Sequence, residues 1–151
     1  MADCRRILPD HDLTLHLVSG GHTSAETLCF FQALDDRCAT RWISYFDPTV
    51  DMSQTDIASM PAIREIMVKK RKELFPGKTK LHAIVCASES SAQYFQDFWR
   101  NYVAEPDLRV FRSLGEAFDW LGLGEPARCA AASAIHDWES SQGERHLGDG
   151  R

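Results

Sequence analysis

The chain has no excess of positive charge and no long apolar run. Its 151 residues include 17 Lys and Arg against 22 Asp and Glu, which gives a formal net charge of −5. Nucleic-acid-binding proteins need a basic surface to displace counterions, so this balance predicts no binding to nucleic acid. No apolar run approaches the roughly 20 residues that span a bilayer, and the first residues lack the apolar centre of a secretory signal. The sequence therefore predicts a cytoplasmic protein without a transmembrane segment.

Cysteines are present, but their spacing indicates no site. The five Cys residues are far apart, and no two of them form a C-x-x-C pair. An odd number without close pairs indicates neither a disulfide framework nor a zinc site. Cys29 and Cys86 lie in apolar patterns, where a thiol behaves as a small hydrophobic group. We expect no metal and no cofactor.

Residues 80–87, KLHAIVCA, form the clearest strand pattern. The segment is almost continuously apolar, which is typical of a strand covered on both faces by helices. Four more strands are predicted at residues 5–8, 13–18, 41–46 and 108–111. The first two flank Pro9 and form a β-hairpin.

Helix starts are predicted by capping boxes, in which Ser or Thr is followed three residues later by Glu or Gln. Such boxes begin at Thr23, Ser90 and Ser113, and Ser53 with Asp56 resembles another helix start. Pro61 either kinks the following helix or lies in the opening turn of a helix that starts near Ser59. We prefer the second arrangement.

The resulting order, β-β-α-β-α-β-α-β-α, predicts an α/β domain over residues 1–123. We expect a mainly parallel five-stranded sheet with helices on both faces and with the first strand antiparallel at or near an edge. From Gly124 onward small and polar residues dominate. This composition predicts a flexible C-terminal tail over residues 124–151, with at most a short helix over 127–138.

This order, together with the closing sequence FRSLGEAFDWLGL, resembles the SpoIIAA-like family. That family is related to STAS domains (sulfate transporter and anti-sigma-factor antagonist) and is grouped with SEC14-like lipid-binding folds. The resemblance covers residues 5–123 and is most specific at Phe111-Arg112, Glu116-Ala117, Trp120-Leu121 and residues 80–87. It implies a non-enzymatic regulatory module.

In anti-sigma-factor antagonists, a serine at the start of the second helix is phosphorylated within an Asp-Ser-Ser-Gly motif. The nearest match in this chain is Asp51-Met52-Ser53-Gln54, which lacks the second serine and the glycine. We therefore expect Ser53 to act as a helix cap.

Several polar side chains are predicted at the carboxyl edge of the sheet, where open α/β folds bind ligands. Helix N-termini that gather there provide free amides for an anion. The residues expected at this edge are His22, Thr23, Asp47, Ser53, Ser88, Ser90 and Ser113. Each of them also suits a cap or a turn, and both interpretations stay open.

No catalytic group is predicted. A Cys-x5-Arg phosphatase loop at Cys86 would need arginine at position 92, which is alanine. His22 has no Ser or Asp partner at a spacing that indicates a triad. Carboxylates at positions 47, 51 and 56 suit helix N-termini as well as a hard cation, so no metal site is assigned.

The helix predicted after Ser90 carries more aromatic residues than one buried stripe requires. Tyr94, Trp99 and Tyr102 either fill a second core layer, line an apolar pocket or contact a partner subunit. The preferred function is a non-enzymatic regulatory module that binds a protein partner and forms a homodimer through this helix. The alternative is a carrier or sensor of a small apolar or lipid-like ligand. An enzyme that uses the polar carboxyl edge is the third hypothesis.

Overall fold

A computed structural model describes residues 2–32, 39–74, 76–77, 80–102 and 107–148. The strands are β1 Ala2–Leu8, β2 Leu13–Ser19, β3 Gly21–Thr23, β4 Arg41–Phe46, β5 Asp51–Gln54, β6 Leu81–Cys86 and β7 Leu108–Phe111. The helices are α1 Ser24–Gln32, α2 Met60–Leu74, α3 Glu89–Tyr102, α4 Leu114–Leu121 and α5 Glu125–Gly148.

Five strands form the main sheet in the order β1-β2-β4-β6-β7. β1 runs antiparallel to β2, and the other three pairs are parallel. The short connection over Pro9–His11 forces the antiparallel pair, because a parallel pair needs a crossover of a dozen or more residues. The sheet is therefore mixed, whereas the sequence predicted a mainly parallel one. The antiparallel first strand at an edge is confirmed.

Both faces of the sheet are covered by helices, as predicted. Alternate residues such as Leu15, Ile43 and Val85 pack against α4 and α5 in one apolar cluster. Their neighbours along the strands, including Phe46 and Ile84, belong to a second cluster with α2 and α3. All of β6 beyond Leu81 is buried, which confirms the shielded strand that the sequence indicated.

A second sheet of two strands, β3 and β5, was not predicted. Ser53 lies in β5 and not at the start of a helix, so that prediction is wrong. The segment pairs with β3 through Gly21↔Asp51 and Thr23↔Gln54. Strand pairing with a distant segment overrides the local cap pattern here. A 3₁₀ turn over Ile57–Ser59 precedes α2, and Pro61 lies in the first turn of that helix, as preferred.

The flexible tail that the sequence predicted is instead a helix of 24 residues, α5. Ala127, Ala131, Ile135 and Trp138 are buried in the cluster beneath the sheet. Their spacing of three and four places them on one face of the helix. The small residues that suggested disorder allow this helix to lie close to the strands.

The cap of α4 provides a test of these helix starts. The Ser113 hydroxyl accepts a hydrogen bond from the Glu116 amide at 3.3 Å, as the capping box predicted. Ser113→Ala is therefore expected to lower the free energy of unfolding by about 1 kcal/mol in urea denaturation. Ser53→Ala, at an exposed position in β5, should change it by less than about 0.5 kcal/mol. Equal costs for the two variants would contradict the assignment.

Candidate functional site

Most of the residues predicted at the carboxyl edge hold backbone groups in place. Thr23 and Glu26 form a reciprocal cap, with the Thr23 amide 2.8 Å from the carboxylate and the Glu26 amide 3.2 Å from the hydroxyl. The buried Asp47 carboxylate accepts hydrogen bonds from the Thr49 amide and hydroxyl at 2.8 and 2.6 Å. These contacts shape the turns that follow β2 and β4.

The serines after β6 have roles that differ from those that the sequence predicted. Ser88 caps α3, because its hydroxyl accepts from the Ser91 amide at 3.1 Å. Ser90, predicted as this cap, instead accepts from the Met52 amide at 3.0 Å and so joins α3 to β5. The capping box at Ser90 is therefore wrong. Three serines lie within four residues after β6, at positions 88, 90 and 91. The one nearest the end of β6, Ser88, caps the helix.

Arg112 connects the ends of two adjacent strands. Its Nε donates to the Cys86 carbonyl at 3.0 Å, and its guanidinium lies 3.0 Å from the Glu89 carboxylate. The helix after β6 packs on one face of the sheet, and the helix after β7 packs on the other. Open α/β sheets form their ligand crevice between two adjacent strands whose following helices lie on opposite faces of the sheet. In this chain the Arg112 side chain crosses that point.

Several side chains near the carboxyl ends of the strands are exposed to solvent. We call them the carboxyl rim: Ser53, Glu89, Ser90, Arg112 and Ser113. The rim combines hydroxyls with one acidic and one basic group. Helix caps and a hydrogen bond from Ser90 to β5 hold the backbone at this surface.

A polar layer lies inside the molecule, between the sheet and α1–α3. Register places His16 beside Ser44, and Trp42 beside His82, on neighbouring strands. Ser44 Oγ and His82 Nε2 are 2.8 Å apart, and His82 stacks on Trp42 with centroids 5.0 Å apart. The buried Lys80 places Nζ 3.7 Å from the centroid of the Trp42 ring, a cation–π contact.

A cavity of about 30 Å³ lies in this layer. It is lined by His16, His22, Thr27, Ser44, Phe46, His82, Ile84 and Phe95. Phe46 meets the edges of two rings, His16 at 6.4 Å and His22 at 6.0 Å between centroids. Of the seven residues expected at the edge, His22 alone lines this cavity. Organic ligands occupy pockets of about 300–1,000 Å³, so the cavity is about a tenth of the smallest of these.

Both His16 and His22 are neutral at neutral pH. Burial lowers the pKa of His22 to about 4, although the Glu26 carboxylate acts in the opposite direction. The His22 Nε2 lies 2.6 Å from the Thr27 hydroxyl. Burial also lowers the pKa of His16, against the effect of Asp3, whose carboxylate is 3.7 Å from Nε2.

The sequence did not single out His16 or Ser44. Alternation would have placed Thr14, His16 and Val18 on one face of β2, and Trp42, Ser44 and Phe46 on one face of β4. The alternation of leucines at 13, 15 and 17 indicates one inward face of β2, but β2 is buried on both faces, so alternation did not reveal that His16 is buried as well. The contact of Ser44 with His82 depends on the pairing of β4 with β6, which the sequence of either strand alone does not predict.

The remaining candidates have structural roles. Burial raises the pKa of Cys86 to about 12, so its thiol stays protonated. Among the described residues, no group of three His, Cys, Asp or Glu side chains is arranged to hold a metal ion. Tyr94 is half-buried and packs edge-on against Phe95, with centroids 5.1 Å apart. The side chains of Trp99 and Tyr102 lie outside the described part, so the interface expected on α3 stays a prediction.

Fold and site define an α/β protein with a mixed five-stranded sheet and an exposed polar rim. No helix within the described ranges is long and apolar enough to cross a membrane. Comparison with known protein families, curated proteins and solved structures finds no match to this chain. The kinship with the SpoIIAA-like family therefore stays a prediction.

Proposed function

We propose that this chain is a non-enzymatic, cytoplasmic regulatory module that binds a protein partner through the carboxyl rim. The observation that carries the proposal is that hydroxyls and a carboxylate at this edge bind backbone amides. Thr23, Asp47 and Ser88 already accept hydrogen bonds from backbone amides of their own turns and helix starts. These contacts support a preformed surface above them.

The rim has the properties that favour selective recognition. Arg112 and Glu89 place opposite charges next to each other, and both side chains are about half exposed or more. Exposed charges at an interface act on specificity and on association rate. The fixed backbone lowers the entropy cost of binding. Kinship with STAS-related modules, as expected from the sequence, would agree with this mode of action.

Comparative capture of partners tests the proposal. The wild-type chain, Ser53→Arg, Glu89→Arg and a control, Asp137→Arg on the exposed side of α5, serve as baits in extracts of the source cell. We expect at least one protein to be enriched by the wild type and the control. Its recovery should fall by about tenfold or more with the rim variants, as for a disrupted interface contact.

Two outcomes would overturn this proposal. One is a set of captured proteins that is the same for all four baits. The other is a set for which Asp137→Arg, and not the rim variants, causes the loss. Circular dichroism of each bait confirms that the substitutions leave the fold intact.

A second candidate function is a sensor of a small apolar ligand, and the cavity beneath α3 favours it. Five rings contribute to its lining, those of His16, His22, Phe46, His82 and Phe95. With a volume of about 30 Å³, the cavity would have to widen before it could hold a lipid-like molecule. Native mass spectrometry of the purified chain tests this candidate. A bound species of defined mass supports it, and a mass equal to that of the chain in every preparation opposes it.

A further inference from the structure

The outer edge of β1 is the longest unpaired strand edge of the main sheet in the part of the chain that the structure describes. β1 pairs with β2 along all seven residues, from Ala2↔Ser19 to Leu8↔Leu13. It ends the strand order on one side, and the four-residue β7 ends it on the other. Natural proteins usually keep edge strands short or charged, because a long edge is a template for pairing with another chain.

The charged residues of β1 do not simply block such pairing, because the strand carries both signs of charge and two antiparallel copies can place opposite charges next to each other. Asp3 and Arg5 stand on the same face of β1, since residues two apart share a face. Their partners in β2 are Val18 and His16, which belong to the face covered by α1–α3. Arg6 stands on the opposite face.

We propose that two copies of this chain pair through β1 in an antiparallel register centred on Cys4. A two-fold axis perpendicular to the sheet keeps equivalent faces of the two copies on the same side. Directly opposite residues must then point to the same face, which requires that one residue of β1 lies opposite the same residue of the second copy. Centring on Cys4 places each Asp3 opposite Arg5 of the second copy and forms two ion pairs. Centring on Asp3 or Arg5 places like charges opposite each other, which is destabilising. Within β1, centring on Cys4 is the register of this symmetry that forms ion pairs, so the charge pattern favours it.

This pairing joins the two main sheets into one continuous sheet with isologous symmetry, the commonest arrangement of homodimers. It does not depend on the partner proposed for the carboxyl rim. Directly opposite residues in antiparallel strands have Cα atoms about 4.5–5.5 Å apart. That distance lies within the range of about 4.4–6.8 Å that a disulfide spans. Cys4, which is half-buried, therefore reports the register.

Charge exchange tests the proposal. Light scattering over a dilution series should show a dimer for the wild-type chain. Asp3→Arg replaces two attractive pairs with two repulsive ones and is expected to raise the dissociation constant on the order of tenfold or more. The double variant D3R/R5D should restore the dimer, because it exchanges the charges. Arg6→Asp is the matched control, because Arg6 faces Ala2 of the second copy.

Oxidation with diamide, followed by peptide mapping, tests the register. We expect a Cys4–Cys4 link between chains, with the exposed Cys29 and Cys129 as internal controls for random collision. A monomer at every concentration would overturn the proposal. So would a dimer that D3R leaves unchanged, or one whose links involve Cys29 or Cys129 as often as Cys4.

Discussion

Trp138→Ala is expected to lower the free energy of unfolding by about 3–5 kcal/mol, the cost of removing a large aromatic side chain from a core. Trp138 is 3% exposed and belongs to the cluster that joins α5 to the sheet. Domains of this kind are stable by only about 5–15 kcal/mol in total. The substitution therefore removes a large share of the stability, and urea denaturation followed by far-ultraviolet circular dichroism measures it.

His136→Ala, two residues earlier on the exposed side of the same helix, provides the control. It should change the free energy of unfolding by less than about 0.5 kcal/mol. Helix propensity is similar for the two substitutions, so the difference between them reports burial alone. Two small and equal effects would mean that α5 does not pack against the sheet.

Acidification is expected to destabilise the protein through His22 between pH 6.5 and about 4. The pKa of the ring is lowered from 6.5 to about 4 in the folded chain, because burial disfavours the charged form. The unfolded state therefore binds more protons throughout this interval, and stability falls as the pH falls. At about 1.4 kcal/mol for each pKa unit, this one ring accounts for about 3 kcal/mol by pH 4.

His22→Gln isolates this contribution. Glutamine keeps a polar group near the Thr27 hydroxyl and does not titrate. Free energies of unfolding measured from pH 7 to pH 4 should fall less steeply in the variant. His16, Asp3 and Glu26, whose pKa values are also lowered, remain in both proteins, so the comparison removes their contributions apart from their interaction with His22. Parallel curves for the two proteins would contradict the buried position of His22.

Local patterns predicted the main elements of this fold well. The strands Arg41–Phe46 and Leu108–Phe111 begin and end where the sequence placed them. The reciprocal cap of Thr23 and Glu26 also forms as predicted. These features depend on a few neighbouring residues, so one segment contains the whole signal.

Features that depend on distant segments were missed. β5 forms because residues 51–54 pair with β3, and a local cap pattern does not predict pairing with a distant segment. The docking of α5 depends on one apolar face, formed by Ala127, Ala131, Ile135 and Trp138. Low average hydrophobicity concealed this face, and composition alone indicated disorder.

Part of the candidate site could be predicted from the strand ends, but the contacts of its hydroxyls could not. Ser88, Ser90 and Ser113 lie at strand ends, as the sequence indicated, since parallel strands end at one edge. Whether a hydroxyl serves a helix or a ligand depends on which amide comes within reach. That distance is a property of the folded chain, and the buried layer of His16, Ser44 and His82 is likewise set by register.

Hydrogen exchange of the chain with and without its captured partner tests most directly whether the carboxyl rim is the binding surface. We expect slower exchange in the partner complex for amides of β5, for the first turn of α3 and for the segment around Arg112. The exposed side of α5 should exchange at the same rate in both states. Protection confined to α5, with the rim amides unchanged, would contradict binding through the carboxyl rim.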